Sequence, residues 1–212
     1  GGTGIYSNNA NIYDGGSGSG KITVGKDGTG IYAKNSSVSL ENLELNLYGD
    51  GAVGIYLDGT SSFHGIGNIN IAGKGITVFN VTNTGNFDQN FNITSTADSS
   101  YTFQNLKNRT SYYNSTASLG QGGVFIYGEN SAVLLDVNSE LVSSNSDLVA
   151  LALDGSYSGL PNINGIPVIN EATNKGKISF GDNSAGLYVK NGATALNEGT
   201  ITLGGYSVAL YG

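Results

Sequence analysis

Cysteine, methionine and tryptophan are absent from the 212 residues; there are two prolines and one histidine, and 12% of the residues are charged. Without Cys there are no disulfides and no thiolate metal sites, which excludes a disulfide-stapled scaffold but not secretion. An ordinary soluble domain is about a quarter charged. A chain this poor in charge must cover its surface with hydroxyl and amide groups, and Ser, Thr and Asn are abundant. The net charge of −7 leaves Lys and Arg too few and too scattered for nucleic acid or an anionic membrane. No apolar run approaches the length of a membrane span and no signal-peptide pattern opens the chain. The expectation is a segment of something longer, making no direct membrane contact itself.

What is present is periodic. The hydrophobic residues make up 38% and recur in phrases: Gly4-Ile5-Tyr6, Gly30-Ile31-Tyr32, Gly54-Ile55-Tyr56, Thr77-Val78-Phe79, Phe125-Ile126-Tyr127, Gly186-Leu187-Tyr188 and Ala209-Leu210-Tyr211. Weaker copies stand at Tyr101-Thr102-Phe103 and Leu151-Ala152-Leu153. The phrases end at 6, 32, 56, 79, 103, 127, 153, 188 and 211, so the intervals are 23 to 26 residues, with one of 35. Such a period marks a solenoid or array. About ten residues ahead of the phrase, segments such as Ile22-Thr23-Val24, Leu43-Glu44-Leu45-Asn46-Leu47 and Ile201-Thr202-Leu203 alternate apolar and polar, as half-buried strands do. A third segment follows it, for example Ser37-Val38-Ser39-Leu40 and Ala132-Val133-Leu134-Leu135. Asp27-Gly28, Asp50-Gly51, Asp58-Gly59 and Asn191-Gly192 supply turns, as does the run Gly15–Gly20. The fold class read from this pattern is all-β: a right-handed parallel β-helix, or β-solenoid, of about eight coils of ~24 residues with three short strands each. Residues 1–212 read as one such segment. A β-sandwich gives no reason for a 24-residue memory, and a propeller needs repeats of about forty.

Strand alternation sends the residue before each Tyr inward: Ile5, Ile31, Ile55, Val78, Thr102, Ile126, Ala152, Leu187 and Leu210. The Tyr column, with Phe79, Phe103 and Leu153 as its variants, then forms an outer aromatic ladder. Stacking of the rings is the favoured reading; a platform for sugars or for a partner's apolar groups is the alternative. Asn42, Asn68 and Asn197 are candidates for amide ladders. Both ends fall at the same phrase, so two sheet edges are expected to be open to end-to-end self-association.

Function is sought where the repeat breaks. The long interval contains an insertion over 154–167 that holds both prolines and reads as a loop leaving the coils. Tyr157, Asn162 and Asn164 are its candidate binding residues. The second break, an irregular coil over 105–123, holds the single Arg. There Arg109, Tyr112 and Tyr113 form a patch of the type favoured at protein or glycan contacts. Structural roles for both breaks remain open. Catalytic signals are poor: His64 has only Asp58 and Ser61 nearby in sequence, and the carboxylates are lone turn residues. No enzyme, metal or cofactor is expected.

Phrases such as Gly-x-Gly-Ile-Tyr, and Asn197-Glu198-Gly199-Thr200-Ile201-Thr202-Leu203, resemble the passenger region of large type V autotransporters of Gram-negative bacteria, in particular the very long fusobacterial outer-membrane adhesins. The resemblance covers nearly the whole chain and is weakest over 105–123. It implies an extracellular segment at the cell surface, anchored through an outer-membrane barrel outside these residues. It also implies attachment to host or bacterial cells through surface proteins or glycans. A purely structural stalk is the alternative; a polysaccharide-cleaving β-helix enzyme ranks below both.

Overall fold

Every regular element among the described residues is a β-strand, and parallel strands stack as a β-solenoid of about eight turns. The computed structural model describes residues 1–14, 20–157, 162–163, 166–167 and 170–212. Most of the turn run Gly15–Gly20 therefore lies outside the described residues. The chain divides into two compact units, 1–104 and 105–212.

In the first unit, one side of each coil is the short strand bearing the tyrosine phrase. Thr3–Asn8, Thr29–Lys34, Val53–Asp58 and Ile76–Val81 pair in parallel in that order. The other two sides, expected as separate strands, run on as one: Ser37–Leu47, Ser62–Ile71 and Phe87–Ser95. The expected break survives as a register shift between Leu40 and Leu43, because a bulge can turn a strand without ending it.

In the second unit the three sides are distinct. Gly123–Glu129, Val149–Asp154, Ala185–Lys190 and Val208–Tyr211 form the first side. Thr110–Tyr113, Ala132–Leu135, Ala172–Asn174 and Ala195–Asn197 form the second. Thr116–Ser118, Glu140–Val142, Lys177–Phe180 and Thr200–Leu203 form the third. The stretch 105–123 thus enters two parallel ladders.

Register corrects two of the expected columns. Phe79 stands opposite Ile55 and is fully buried, while Asn80 takes the place opposite Tyr56. Likewise Leu151 pairs with Ile126, Ala152 with Tyr127, and Leu153 with Gly128. Phe103 is also buried, in a strand whose burial pattern repeats that of Ile76–Val81. The physical reason is that each phrase buries two consecutive residues, such as Gly30 and Ile31, before one turns outward. Aligning the phrases by their aromatic residue therefore shifts them by one. The outer column is Tyr6, Tyr32, Tyr56, Asn80 in the first unit and Tyr127, Ala152, Tyr188, Tyr211 in the second. Its rings do stack: Tyr6 on Tyr32 at 5.4 Å, and Tyr188 on Tyr211 at 5.1 Å.

The displaced phenylalanines build the first unit's core. Phe63, Phe79, Phe87 and Phe91 pack with centroids 5.2 to 6.3 Å apart, and Phe103 joins Phe79 at 5.3 Å. Gly65 makes the space, since a Cβ there would lie 2.5 Å from the Phe63 ring. Each fully buried large apolar side chain contributes about 1.5–3 kcal/mol. An exposed ion pair such as Lys21–Glu44 is largely screened by solvent and salt, so the core dominates.

Corners use left-handed residues. One corner column reads Asp27, Gly51, Gly75 in the first unit and Gly122, Asp147, Asn183, Tyr206 in the second; another includes Asn9, Asn35, Gly59 and Asn130, Gly155, Asn191. Asn, Asp and Gly tolerate this conformation; a bulky side chain, as at Tyr206, adopts it at a cost in strain. At Asp27-Gly28 it is the Asp, not the Gly, that takes positive φ. Buried serines close the corners, as where Ser36 N–H donates to Ser61 Oγ and Ser61 Oγ–H to the Ala33 carbonyl. Amide ladders exist and include the expected Asn68 and Asn197: Asn92 donates to Asn68, Asn174 to Asn197, and Asn70 to Asn46. Asn42 instead offers its backbone N–H to Asp14.

Candidate functional site: a covered outer face in the second unit

Alternation along Thr110–Tyr113 sends Ser111 and Tyr113 inward and Tyr112 outward. Tyr113, expected in a contact patch, is a core residue: it is 5% exposed and meets Phe125 edge-to-face at 4.9 Å. Tyr112 is in register with Leu134, and Leu134 with Thr173. Outward positions of a solenoid side should face water, yet Leu134 and Thr173 are buried, as is Ala132.

The cover comes from the insertion. Tyr157 packs with Tyr112 against Ala132 and Leu134. Further on, Asn162–Ile163 and Ile166–Pro167 form a two-rung antiparallel hairpin, and the Asn162–Ile163 backbone runs beside Thr110–Tyr113. At its described residues Tyr157 and Asn162–Ile163, the insertion expected to leave the coils lies against their second side. Asn162 begins the hairpin; Asn164 lies outside the described residues.

Both ends of the insertion are tied. At its start, the Asp154 carboxylate accepts from Lys190 Nζ at 2.9 Å and Asn191 Nδ2 at 2.7 Å, and Lys190 holds it below the usual carboxylate range. Four residues past its end sits Glu171, buried at 4% exposure. Its Oε1 accepts the Tyr157 N–H at 2.9 Å; its Oε2 accepts the Thr194 N–H at 2.9 Å and the Thr194 hydroxyl at 2.7 Å. Burial alone would raise this carboxyl's pKa, but the donors from Thr194 and Tyr157 outweigh it and the pKa is lowered. One carboxylate thereby joins the insertion to the following coil.

Arg109 is half-buried beside this cover. Its Nε donates to the Thr110 carbonyl at 3.2 Å and its backbone N–H to Ser131 Oγ at 3.3 Å. Burial brings the guanidinium down to about 10, with the Tyr157 hydroxyl acting in the opposite direction. It is cationic at neutral pH. The Tyr112 hydroxyl donates to Asp136, which pushes the phenol up.

Of the six residues singled out by sequence, then, Arg109, Tyr112 and Tyr157 come together, Tyr113 points into the core, and Asn162 lies in the hairpin. Sequence reading missed Glu171; its only signal was an acid between the apolar pair Val168-Ile169 and Ala172, one residue beyond Asn170. It also missed Asp136. The catalytic set around His64 is not assembled. Ser61 is buried and turned to Ala33, while His64 Nδ1 lies 2.8 Å from Asp88 and its Nε2 3.5 Å from Glu41. Among the described residues, no three His, Asp or Glu gather to hold a metal.

No protein-family model, curated protein or solved structure matches the chain.

Proposed function

We propose that this chain is a segment of a bacterial surface adhesin of the autotransporter passenger type, displayed outside the cell and attaching to host or bacterial surfaces. The observation that supports it is the covered face. In a solenoid of short, plain turns, one interval is lengthened, and its insertion gathers Arg109, Tyr112 and Tyr157 on the outer side of the second unit. Rigid aromatic rings beside a partly desolvated Arg are the usual anchors of contact surfaces. The resemblance of the repeated phrases to passenger regions points the same way. No catalytic, cofactor or metal role is part of the proposal.

A structural stalk is the second reading. It is favoured by the fact that the insertion covers apolar positions of its own unit, which is a sufficient structural reason for Tyr157. The two readings part on attachment. Labelled chain titrated onto bacterial and epithelial cells is expected to bind saturably and to be displaced by unlabelled chain. A linear, non-displaceable signal on every surface would leave the stalk reading standing.

A further inference from the structure

We propose that the first side of the second unit carries a separate contact site, a trough that holds one ring of a neutral sugar chain between Tyr206 and the stacked pair Tyr188–Tyr211. The floor is the outward column Val149, Ala185 and Val208, in register over three coils. Along one edge run Ala152, Tyr188 and Tyr211, also in register. The Tyr188 and Tyr211 rings are parallel within 1° at 5.1 Å, and the small Ala152 leaves the next place in that column without a ring. Along the other edge runs the corner column Asp147, Asn183 and Tyr206, exposed at all three positions.

Tyr206 is the unusual member. The corner is left-handed in these coils and is otherwise filled by Gly, Asp or Asn; here a tyrosine adopts φ 57°. Its neighbours fix the backbone: Gly205 N–H donates to Asp182 Oδ1 at 2.6 Å, and the Gly205 carbonyl accepts the Asn183 N–H at 2.9 Å. Ser207 Oγ accepts the Ser184 N–H at 3.0 Å. An asparagine would serve this corner without strain, as Asn183 does one coil earlier. Strain that the surroundings impose is a pointer to function.

The lining names the occupant. The groove measures about 240 Å³ and is walled by rings, aliphatic side chains, Asn183 and Ser184; further along the same edge the Asp147 carboxylate accepts from Gln121 Nε2 at 3.3 Å. That volume is below the roughly 300–1,000 Å³ of pockets for drug-sized ligands, a size suited to one unit of a longer chain. An anion would find no cationic partner among these lining residues. A neutral pyranose presents an apolar C–H face to the tyrosines and hydroxyls to the Asn183 amide. The inference rests on the adhesive reading above but uses other residues than the covered face.

The test titrates the full chain with linear neutral oligosaccharides of glucose, galactose and N-acetylglucosamine. Calorimetry and tyrosine fluorescence, which no tryptophan obscures, report binding. One of these sugars is expected to bind. Tyr206→Phe should retain the affinity, and Tyr206→Asn should lower it about tenfold while slowing amide exchange over 204–211 as the strain is relieved. The proposal is overturned if none of the sugars binds, if Tyr206→Asn binds as the parent does, or if the variant speeds exchange. It is equally overturned if an aromatic peptide, and no sugar, occupies the trough. A chain that attaches to cells yet binds no neutral sugar keeps the adhesive reading and loses this site.

Discussion

Tyr112 and Tyr113 differ by one position and so leave their strand on opposite faces. Composition alone made them a pair, and only register separates them. Replacing Tyr113 by Ala removes a ring packed on Phe125 and is expected to cost about 3 kcal/mol. Tyr112→Ala, which loses a half-buried ring, should cost about 1 kcal/mol; urea unfolding of the two variants checks the difference. Tyr32 shows how a neighbouring coil sets a side chain's chemistry. Its hydroxyl donates to Asp58 at 2.9 Å, and that bond, then burial and nearby charge, pushes the phenol up to about 12 from 10.0. Because the unfolded chain loses this proton first, the Tyr32 contribution is full below pH 10 and is lost as pH rises toward 12. Tyrosinate absorbance should show a late-titrating component, to which Tyr112 and Tyr127 also contribute, that shrinks by one group in Tyr32→Phe. At this scale the core residues were mostly legible, since period and alternation are set by the backbone. The misplacement of Phe79, Phe103 and Leu153 came from matching side-chain type where the strand buries two residues in succession. Tyr206 was legible in principle: the place five residues before each outer-column residue reads Asp27, Gly51, Gly75, Gly122, Asp147 and Asn183, and a tyrosine interrupts it.

At the level of elements, the insertion depends on Glu171. Its depressed pKa means the carboxylate stays charged in the native state when the unfolded chain has begun to protonate. The tie is therefore complete above the ordinary value of 4.5 and weakens as pH falls through the lower native one. Hydrogen exchange at the Tyr157 and Thr194 amides should accelerate over that acid range, and at neutral pH in Glu171→Ala, by an amount equivalent to about 1–3 kcal/mol. Uniform acceleration across the unit would contradict a local tie. The position of the insertion was readable from the long interval and the two prolines. Its course was not, because a loop reading overlooked how apolar the segment is, with Leu160, Ile163, Ile166, Val168 and Ile169 within ten residues. The fused strands of the first unit were also hidden. A bulge and a turn leave much the same alternation in sequence, and only the pairing of Ser37–Leu47 distinguishes them.

For the molecule as a whole, stability rests on stacked apolar columns, corner hydrogen bonds and amide ladders rather than on charge. The ion pairs Lys21–Glu44, Lys107–Glu129, Lys175–Glu198, Lys177–Glu140 and Lys190–Asp154 join successive coils, with most of their side chains well exposed. Such pairs are screened by salt. Raising NaCl to about 1 M is expected to leave the urea midpoint nearly unchanged, and a large fall would show that the ion pairs matter more than the core. The β-solenoid was legible because a fixed period repeats one coil's geometry. Function was less so: a repeat advertises its architecture, while its departures from the pattern show only where to look.

The most direct test of the adhesive reading compares the parent chain with Arg109→Ser/Tyr112→Ser/Tyr157→Ser in saturable attachment to bacterial and epithelial cells, at matched β-sheet circular dichroism. Attachment is expected to fall sharply in the variant while the spectrum is unchanged. Equal attachment by both chains, or none by the parent, would contradict the covered face as the adhesive surface.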